Sequence, residues 1–360
     1  MHDVAVVGLG AMGSATLWQL RRRGVDAIGV DAHDPPHALG SSHGHSRVFR
    51  TAYFEHPSYV PLLQRALVLW RELERETGQP LYRETGCLTM GPPDHELIEG
   101  VRASVQMHRL PHEELDAVAI RRRFGFRLEP NDVGIYEDEA GLVEPERAIA
   151  AMLGDLPRKR MRVTRMEQRE DHVVVHGDEL LHARRVVACL GAWLPSFGYT
   201  AALTAMRQVQ HWFRPQRAMD SLPCFIHVAG DHAVYGLPPH GERGIKVCRH
   251  YGGELTDPDR LDRALRAEDE ADVRAWIRAH LPEADGELDH AVVCMYALTP
   301  DRHFVVGPHP EHERILLAGG FSGHGFKMAP VIGEALAELA TEGATRHDIA
   351  LFDPNRFAPT

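Results

Sequence analysis

Four consecutive apolar residues, Val4–Val7, open the chain, and glycine follows at once. A short apolar run with that border is the pattern of a strand buried on both faces of a parallel sheet. Gly8, Gly10 and Gly13 come next with the spacing G-x-G-x-x-G, and Ala11, Ala15 and Trp18 then fall on one face of a helix. Arg21, Arg22 and Arg23 occupy its last turn, where cations suit the helix dipole, and Gly24 stands ready to end it. A second apolar run, Ala27–Val30, ends at Asp31. The pattern predicts strand, helix and strand in βαβ order.

Residues 32–47 are rich in Gly, Pro, Ser and His and predict a loop. Leu63, Leu67 and Trp70 recur at core spacing in a helix over 58–77. Further helices are expected near 94–107 and 112–124, and another from Pro145, after Glu144. From residue 160 the period shortens to two, predicting strands at 161–168, 172–177 and 179–191, then at 207–214, 224–229, 232–237 and 244–251. A charged helix over 257–280 precedes strands at 291–297, 303–306 and 315–319. Val331, Ile332, Leu336 and Leu339 form the apolar side of a closing helix over 328–341. No internal repeat or low-complexity tract interrupts this order. A βαβ start, a strand-rich middle and a returning strand–glycine–helix unit predict a discontinuous nucleotide-binding domain with an inserted α+β domain. Ligand pockets form where two such domains meet.

Composition narrows the picture. A chain of 360 residues suits two or three domains, and 44% hydrophobic with 25% charged residues is the balance of a globular protein. The net charge of -11 argues against nucleic acid as a partner. No run approaches the ~20 apolar residues of a membrane span, and the N-terminus has no basic region or cleavage site of a signal peptide. Five scattered cysteines without a C-x-x-C argue against a disulfide framework or structural zinc and point to a reducing cytoplasm. Only Lys159, Lys246 and Lys327 among the forty basic residues are lysines, so each invites a question.

The glycine fingerprint brings backbone close to a pyrophosphate at a helix N-terminus, and Asp31, eighteen residues past Gly13, is placed to accept from a ribose hydroxyl. NAD and FAD are both open at this stage. Arg47 and Arg50 can each grip a carboxylate bidentately, although by spacing alone they read as surface arginines. His37, His43 and His45 lack matching acid or cysteine spacing; they read as solvated loop histidines, and no metal is expected. Cys294 by itself reads as a small core hydrophobe. The segment Gly319–Lys327 carries four glycines in seven residues, including Gly323 and Gly325, enough bare backbone to wrap a large planar ligand. Lys246 and Lys327 suit places that need a compact charge or a tunable amine.

Five segments occur together in order: Gly8–Gly13 with Val30-Asp31-Ala32-His33-Asp34-Pro35-Pro36, Ser42-His43-Gly44-His45-Ser46-Arg47-Val48-Phe49-Arg50, Gly244-Ile245-Lys246, Cys294-Met295-Tyr296, and Phe321-Ser322-Gly323-His324-Gly325-Phe326-Lys327. Over its whole length the chain resembles the monomeric sarcosine oxidase and N-methyltryptophan oxidase family of D-amino-acid-oxidase-like flavoproteins. The resemblance implies a two-domain fold of mixed α/β and α+β character. A Rossmann-like FAD-binding domain would comprise 1–80, 140–205 and 300–360, and an antiparallel-sheet substrate domain 81–139 and 206–299. It implies FAD held by Gly8, Gly10, Gly13, Asp31, Ser42, Arg47, Gly323, Gly325 and Lys327, and joined covalently to Cys294. Arg50 and Lys327 would clamp a substrate carboxylate, while Tyr235, His250 and Tyr296 line the pocket. Lys246 would activate O2, and Arg47 would support the flavin's reactivity.

The activity so implied is oxidation of sarcosine by O2 to glycine, formaldehyde and hydrogen peroxide in a cytoplasmic monomer. Bulkier or cyclic secondary amino acids (N-methyltryptophan, pipecolate, proline) are alternative substrates, and a nicotinamide-dependent dehydrogenase is the alternative outside the oxidases. The chain departs from the family pattern at His45-Ser46, Thr51 and Phe54, of which Thr51 and Phe54 bear on substrate size.

Overall fold

The computed structural model describes residues 1–199, 203–219, 221–230 and 232–357. Two large sheets organise it. In the first, of eight strands, the order is Arg165–Gln168, Val173–His176, Leu180–Ala188, His2–Val7, Ala27–Asp31, Arg158–Arg160. Ile315–Gly319 adds in parallel to Leu180–Ala188, and Val305–Pro308 pairs antiparallel with Ile315–Gly319. The pairs around His2–Val7 are parallel, and Val4 to Val7 are at most 2% exposed, as strands covered on both faces must be. Helix Ala11–Arg22 packs on one face against the closing helix Ala329–Glu342, every residue of which from Ala329 to Ala340 is buried. Gly24 follows the first helix at φ +69, the left-handed position that ends it. In helix Tyr59–Thr77, Leu63 and Trp70 are buried and Leu67 packs at the margin.

The second sheet has nine strands in the order Leu255–Thr256, Thr204–Phe213, Ile245–His250, His232–Leu237, Cys224–Ala229, Cys87–Gly91, Val133–Glu137, Glu113–Asp116, with Leu288–Leu298 on the free side of Thr204–Phe213. All its pairs are antiparallel except Cys224–Ala229 with Cys87–Gly91. A small sheet of Arg47–Phe49, Gly141–Val143 and Tyr82–Glu84 pairs with neither and packs through Leu142 against Cys87, Cys224 and Leu237 of the second. This is the expected pairing of a Rossmann-like sheet with a mainly antiparallel one.

Some elements differ from the expectation. The stretch 112–124 is a strand, Glu113–Asp116, and then a helix, Ala117–Phe124, because Asp116 caps that helix by accepting from the Ala119 N–H. The charged helix starts only at Ala267, after a 3-10 turn at Pro258–Arg260. Arg207 takes the carbonyls of Asp262 and Ala264, which are then withdrawn from any helix, and the Asp269 carboxylate accepts from the Arg266 N–H to start the real one. The strand expected from 161 begins at Arg165, the one from 303 is Val305–Pro308, and Arg47–Phe49 lies partly inside the expected loop. Cys87–Gly91 and Val133–Glu137 carry no strand signal strong enough to be foreseen.

Candidate active site

The register of the nine-stranded sheet assembles a site from residues far apart in sequence. Residues directly opposite in adjacent strands, and residues two apart along one strand, share a face. Lys246 lies opposite Trp212 and Leu237, Cys248 opposite Tyr235, and Cys294 opposite Gln208. One face therefore carries Tyr235, Lys246, His250, Cys294 and Tyr296 together with Gln208, Gln210 and Trp212. Neighbouring Met295 turns away into a separate small core.

That face closes one side of a cleft of about 580 Å³. Gly8, Gly10, Asp31, Ser42, Arg47, Arg50, Tyr235, His250, Cys294, Tyr296, Gly323, Gly325 and Lys327 all line it. At its far end the cleft reaches the C-terminal edge of His2–Val7, where neighbours Ala27–Asp31 and Leu180–Ala188 lie on opposite sides. This is the switch point at which open α/β sheets bind ligands. A Cβ on Gly8 would lie 2.3 Å from the Cys189 carbonyl oxygen, and one on Gly13 would lie 1.7 Å from that of Gly8. Only glycines let strand and helix close this tightly and bare the helix N-terminus. Asp31 accepts from the N–H groups of Leu9 (2.7 Å) and His33 (2.9 Å). Burial pushes its carboxyl up, but hydrogen bonding from His37, Leu9 and His33 more than offsets this and holds it below its ordinary value. The chain thus presents a continuous slot with a bare helix N-terminus and an ionised acid at one end and a thiol at the other. The slot fits a flavin dinucleotide.

Near the other end, Arg50 is 2% exposed, so the surface reading of this arginine is overturned. It donates to Ala52 O (2.6 Å) and Glu55 Oε2 (2.9 Å), and its guanidinium lies 4.3 Å from the Tyr53 ring and 4.6 Å from that of Phe54. Burial pushes the Glu55 carboxyl up, yet Arg50, then His324 and Lys327, hold it below its ordinary value. Lys327 Nζ donates to His324 O (2.8 Å) and Tyr53 Oη (3.3 Å). Burial, and then the Arg50 charge, lower its ammonium to about 7. His324 Nε2 lies 3.0 Å from Arg302 O and donates to it, so Nδ1 accepts from the Tyr53 hydroxyl at 2.6 Å. Burial keeps both histidines of the pocket neutral, with His324 down to about 4 and His250 down to about 3. His250 Nδ1 meets the Tyr296 hydroxyl at 3.2 Å. Gly323 lies against the Tyr296 ring, where a Cβ would approach to 2.4 Å.

Lys246 stands behind the cleft wall formed by Arg47 and Gln210. It is 1% exposed, and its Nζ donates to Gly44 O (2.9 Å) and Ser46 O (2.8 Å). Arg47 donates to the same Ser46 oxygen (3.0 Å), to Ser41 O (3.1 Å), to Gln210 Oε1 (3.3 Å) and to His43 O. Burial, and then the Arg47 charge, lower Lys246 to about 7. The three loop histidines divide: His45 is exposed, His37 is half-buried beside Asp31, and His43 is 3% exposed, which overturns its solvated reading. Tyr53, Glu55, Glu146, Gln210 and His324 also belong to the site, and none of them was assigned a role from the sequence. Each is an ordinary residue in its own stretch, and only the nearness of Glu55 to Arg50 gave a local hint.

The chain belongs to the FAD dependent oxidoreductase (DAO) family, which it matches over residues 3–339. It is a flavoprotein oxidoreductase that depends on FAD. Among its relatives, the monomeric sarcosine oxidase of Streptomyces avermitilis is 40% identical over 99% of this chain and 98% of that one. That of a Bacillus species (strain NS-129) is 37% identical over 99% and 97%. The N-methyl-L-tryptophan oxidase of Salmonella arizonae is 32% identical over 99% of each chain. Among solved structures, NikD, an amino acid oxidase of nikkomycin biosynthesis, superposes with a TM-score of 0.88 at 24% identity, covering 98% of this chain and 97% of that one. The L-proline dehydrogenase of P. horikoshii reaches 0.84 at 20% identity, covering 99% and 97%. These two likenesses concern the fold.

Proposed function

We propose that this chain is an oxidase of N-methyl amino acids, sarcosine first among them, with O2 as acceptor. Sarcosine, O2 and water would give glycine, formaldehyde and hydrogen peroxide. The observation that carries the reading is the buried Arg50–Lys327 pair, which faces the same cleft as Cys294, His250 and Tyr296. Two cations with donors to spare in a dry pocket suit one carboxylate. Phe54 supports sarcosine over a bulkier amino acid, because its ring takes room on the wall beside Arg50.

Arg50 and Lys327 bind the carboxylate and orient the amine. The Arg50 and Lys327 cations and the burial of the pocket disfavour an ammonium and so favour the uncharged amine, while neutral His250, steadied by the Tyr296 hydroxyl, lies in the same pocket. Tyr235 fills the pocket wall beside His250. FAD, when bound, supplies the sink for the two electrons that leave the substrate. Gly8, Gly10, Gly13, Asp31 and Ser42 would hold its dinucleotide, Gly323 and Gly325 would lie along its ring system, and the Cys294 sulfur would be its point of covalent attachment. Arg47, on the cleft wall, would support the flavin's reactivity, and Lys246 would offer the cation that assists reduction of O2. In this reading 1–80, 140–205 and 300–360 form the FAD-binding domain and 81–139 and 206–299 the substrate domain; the sorting of strands into two large sheets supports the division, apart from Thr204 and Ala205, which begin a strand of the second sheet. The enzyme works as a monomer in the cytoplasm; among the described residues no helix is long and apolar enough to cross a membrane.

The test is a visible spectrum before and after acid precipitation, followed by anaerobic sarcosine. Yellow colour should stay with the pellet, should leave it in Cys294→Ser, and should bleach in native enzyme on adding sarcosine. Flavin retained by the pellet in Cys294→Ser would refute the linkage. Colour that resists sarcosine and bleaches with N-methyltryptophan, pipecolate or proline would move the substrate to those classes.

A further inference from the structure

Glu146 is the second residue of helix Pro145–Leu153, and none of the site's sequence motifs contains it. Its carboxylate reaches out of the helix to the turn at 43–46. Oε1 accepts from the Gly44 N–H at 2.6 Å, and the His45 N–H donates to both oxygens, at 3.1 and 3.3 Å. The carbonyls of this turn face the other way. Those of Gly44 and Ser46 are the two that receive the Lys246 ammonium, and Ser46 O also receives Arg47. The turn needs outside support, since His45 sits at φ +61, a left-handed conformation that costs ~1 kcal/mol or more in a residue with a Cβ.

We propose that Glu146 is a positioning residue for Lys246: by holding the N–H side of the 43–46 turn, it sets where two carbonyls hold the ammonium, and its negative charge favours the ammonium held there. The inference rests on the reading of Lys246 as the cation that assists O2. Several groups face Lys246 from the packed elements around it. Arg47 opposes its charge; the neutral imidazoles of His43 and His45 and the Cys248 and Cys294 side chains lie nearby without a matching charge. Trp212 lies 4.9 Å away, ring to Nζ. Glu146 is the carboxylate in this set. Burial pushes its carboxyl up, but the Gly44 N–H, then its own, and Arg47 hold it below its ordinary value, so it stays anionic at neutral pH.

A purely local role is the rival explanation, because an acid in the first turn of a helix is favourable by itself. The two roles separate in the lysines. With only three in the chain, selective isotope labelling lets NMR follow each Nζ through a pH titration. Lys246 should titrate well below the ordinary lysine value in native holoenzyme, and measurably lower still in Glu146→Ala. Reoxidation of dithionite-reduced enzyme by O2 should slow ~10-fold at pH 7–8 in that variant, with anaerobic reduction by sarcosine unchanged within ~2-fold. Glu146→Gln keeps an acceptor for the N–H groups without the charge. It should keep the native Lys246 chemical shift at low pH and still titrate low, and it carries the test if Glu146→Ala does not fold. An unmoved Lys246 titration, or equal slowing of both half-reactions, would overturn the proposal. If instead Lys246→Met leaves reoxidation unchanged, the O2 reading of Lys246 fails, whatever Glu146 does.

Discussion

Two clusters of the same three residue types flank the cleft. Arg50, Lys327 and Glu55 form one; Arg47, Lys246 and Glu146 form the other. In both, burial and then the neighbouring arginine bring the lysine to about 7. They differ in what the carboxylate does. Glu55 pairs with the Arg50 guanidinium itself, side chain to side chain, whereas Glu146 gives its oxygens to backbone N–H groups. An ion pair between side chains can be exchanged for another anion, which suits the first cluster to the proposed role of admitting a carboxylate. Backbone carbonyls that fix an ammonium leave it nothing to exchange, so the second is built to hold a cation in place. Burial makes both arrangements sensitive, because an uncompensated charge there is costly.

The sharpest way to break this comparison is to remove the fixed cation. Lys246→Met should slow reoxidation of the reduced flavin by about 10²–10³-fold, the cost of losing one preorganised electrostatic group. Stopped-flow reduction under anaerobic substrate should change only slightly. Equal slowing of both steps would erase the distinction between the clusters. Next in size, Arg50→Ala should weaken substrate binding by about 100-fold, or roughly 3 kcal/mol, as expected for truncating one member of a buried charge pair. Anaerobic spectral titration reads it, and an unchanged dissociation constant would remove Arg50 from the clamp.

The smallest effect is in pH. A carboxylate without an amine, such as methoxyacetate, isolates the clamp from the substrate's own titration. Lys327 titrates at about 7, so below that pH it is already a cation and binding is constant. Above it, the anion must bring a proton with it. The dissociation constant should then rise up to ~10-fold per pH unit. Lys327→Met should flatten that slope, and a slope that survives the substitution would assign the titration elsewhere.

Much of the molecule was legible from the chain alone. The βαβ start, Asp31, the helix over 59–77 and the glycine segment before Lys327 depend on signals confined to a few residues: an apolar period, a glycine at a tight approach, an acid at a strand end. The family pattern extended this to residues such as Cys294 and Arg50, whose own surroundings read as core and surface. Where expectations failed, a distant partner had intervened. Arg207 took the carbonyls that a helix from 257 would have used. Glu113–Asp116 became a strand because Val133–Glu137 offered an edge.

The sequence by itself determined the elements with a strong local signal and which segments carry chemistry, since propensity, period and turn residues act over short range. Only the tertiary structure decided which side chains meet. Register placed Tyr235, Lys246, Cys294 and Tyr296 on one face, and a one-residue slip in any of those strands would send its contributor to the other side. Burial then altered the character of ordinary residues, lowering Lys246 and Lys327 to about 7 and keeping His250 and His324 neutral. The Glu146–Gly44 hydrogen bond joins residues 102 positions apart. No local pattern encodes such a bond, because it exists only once the helix and the turn have packed together.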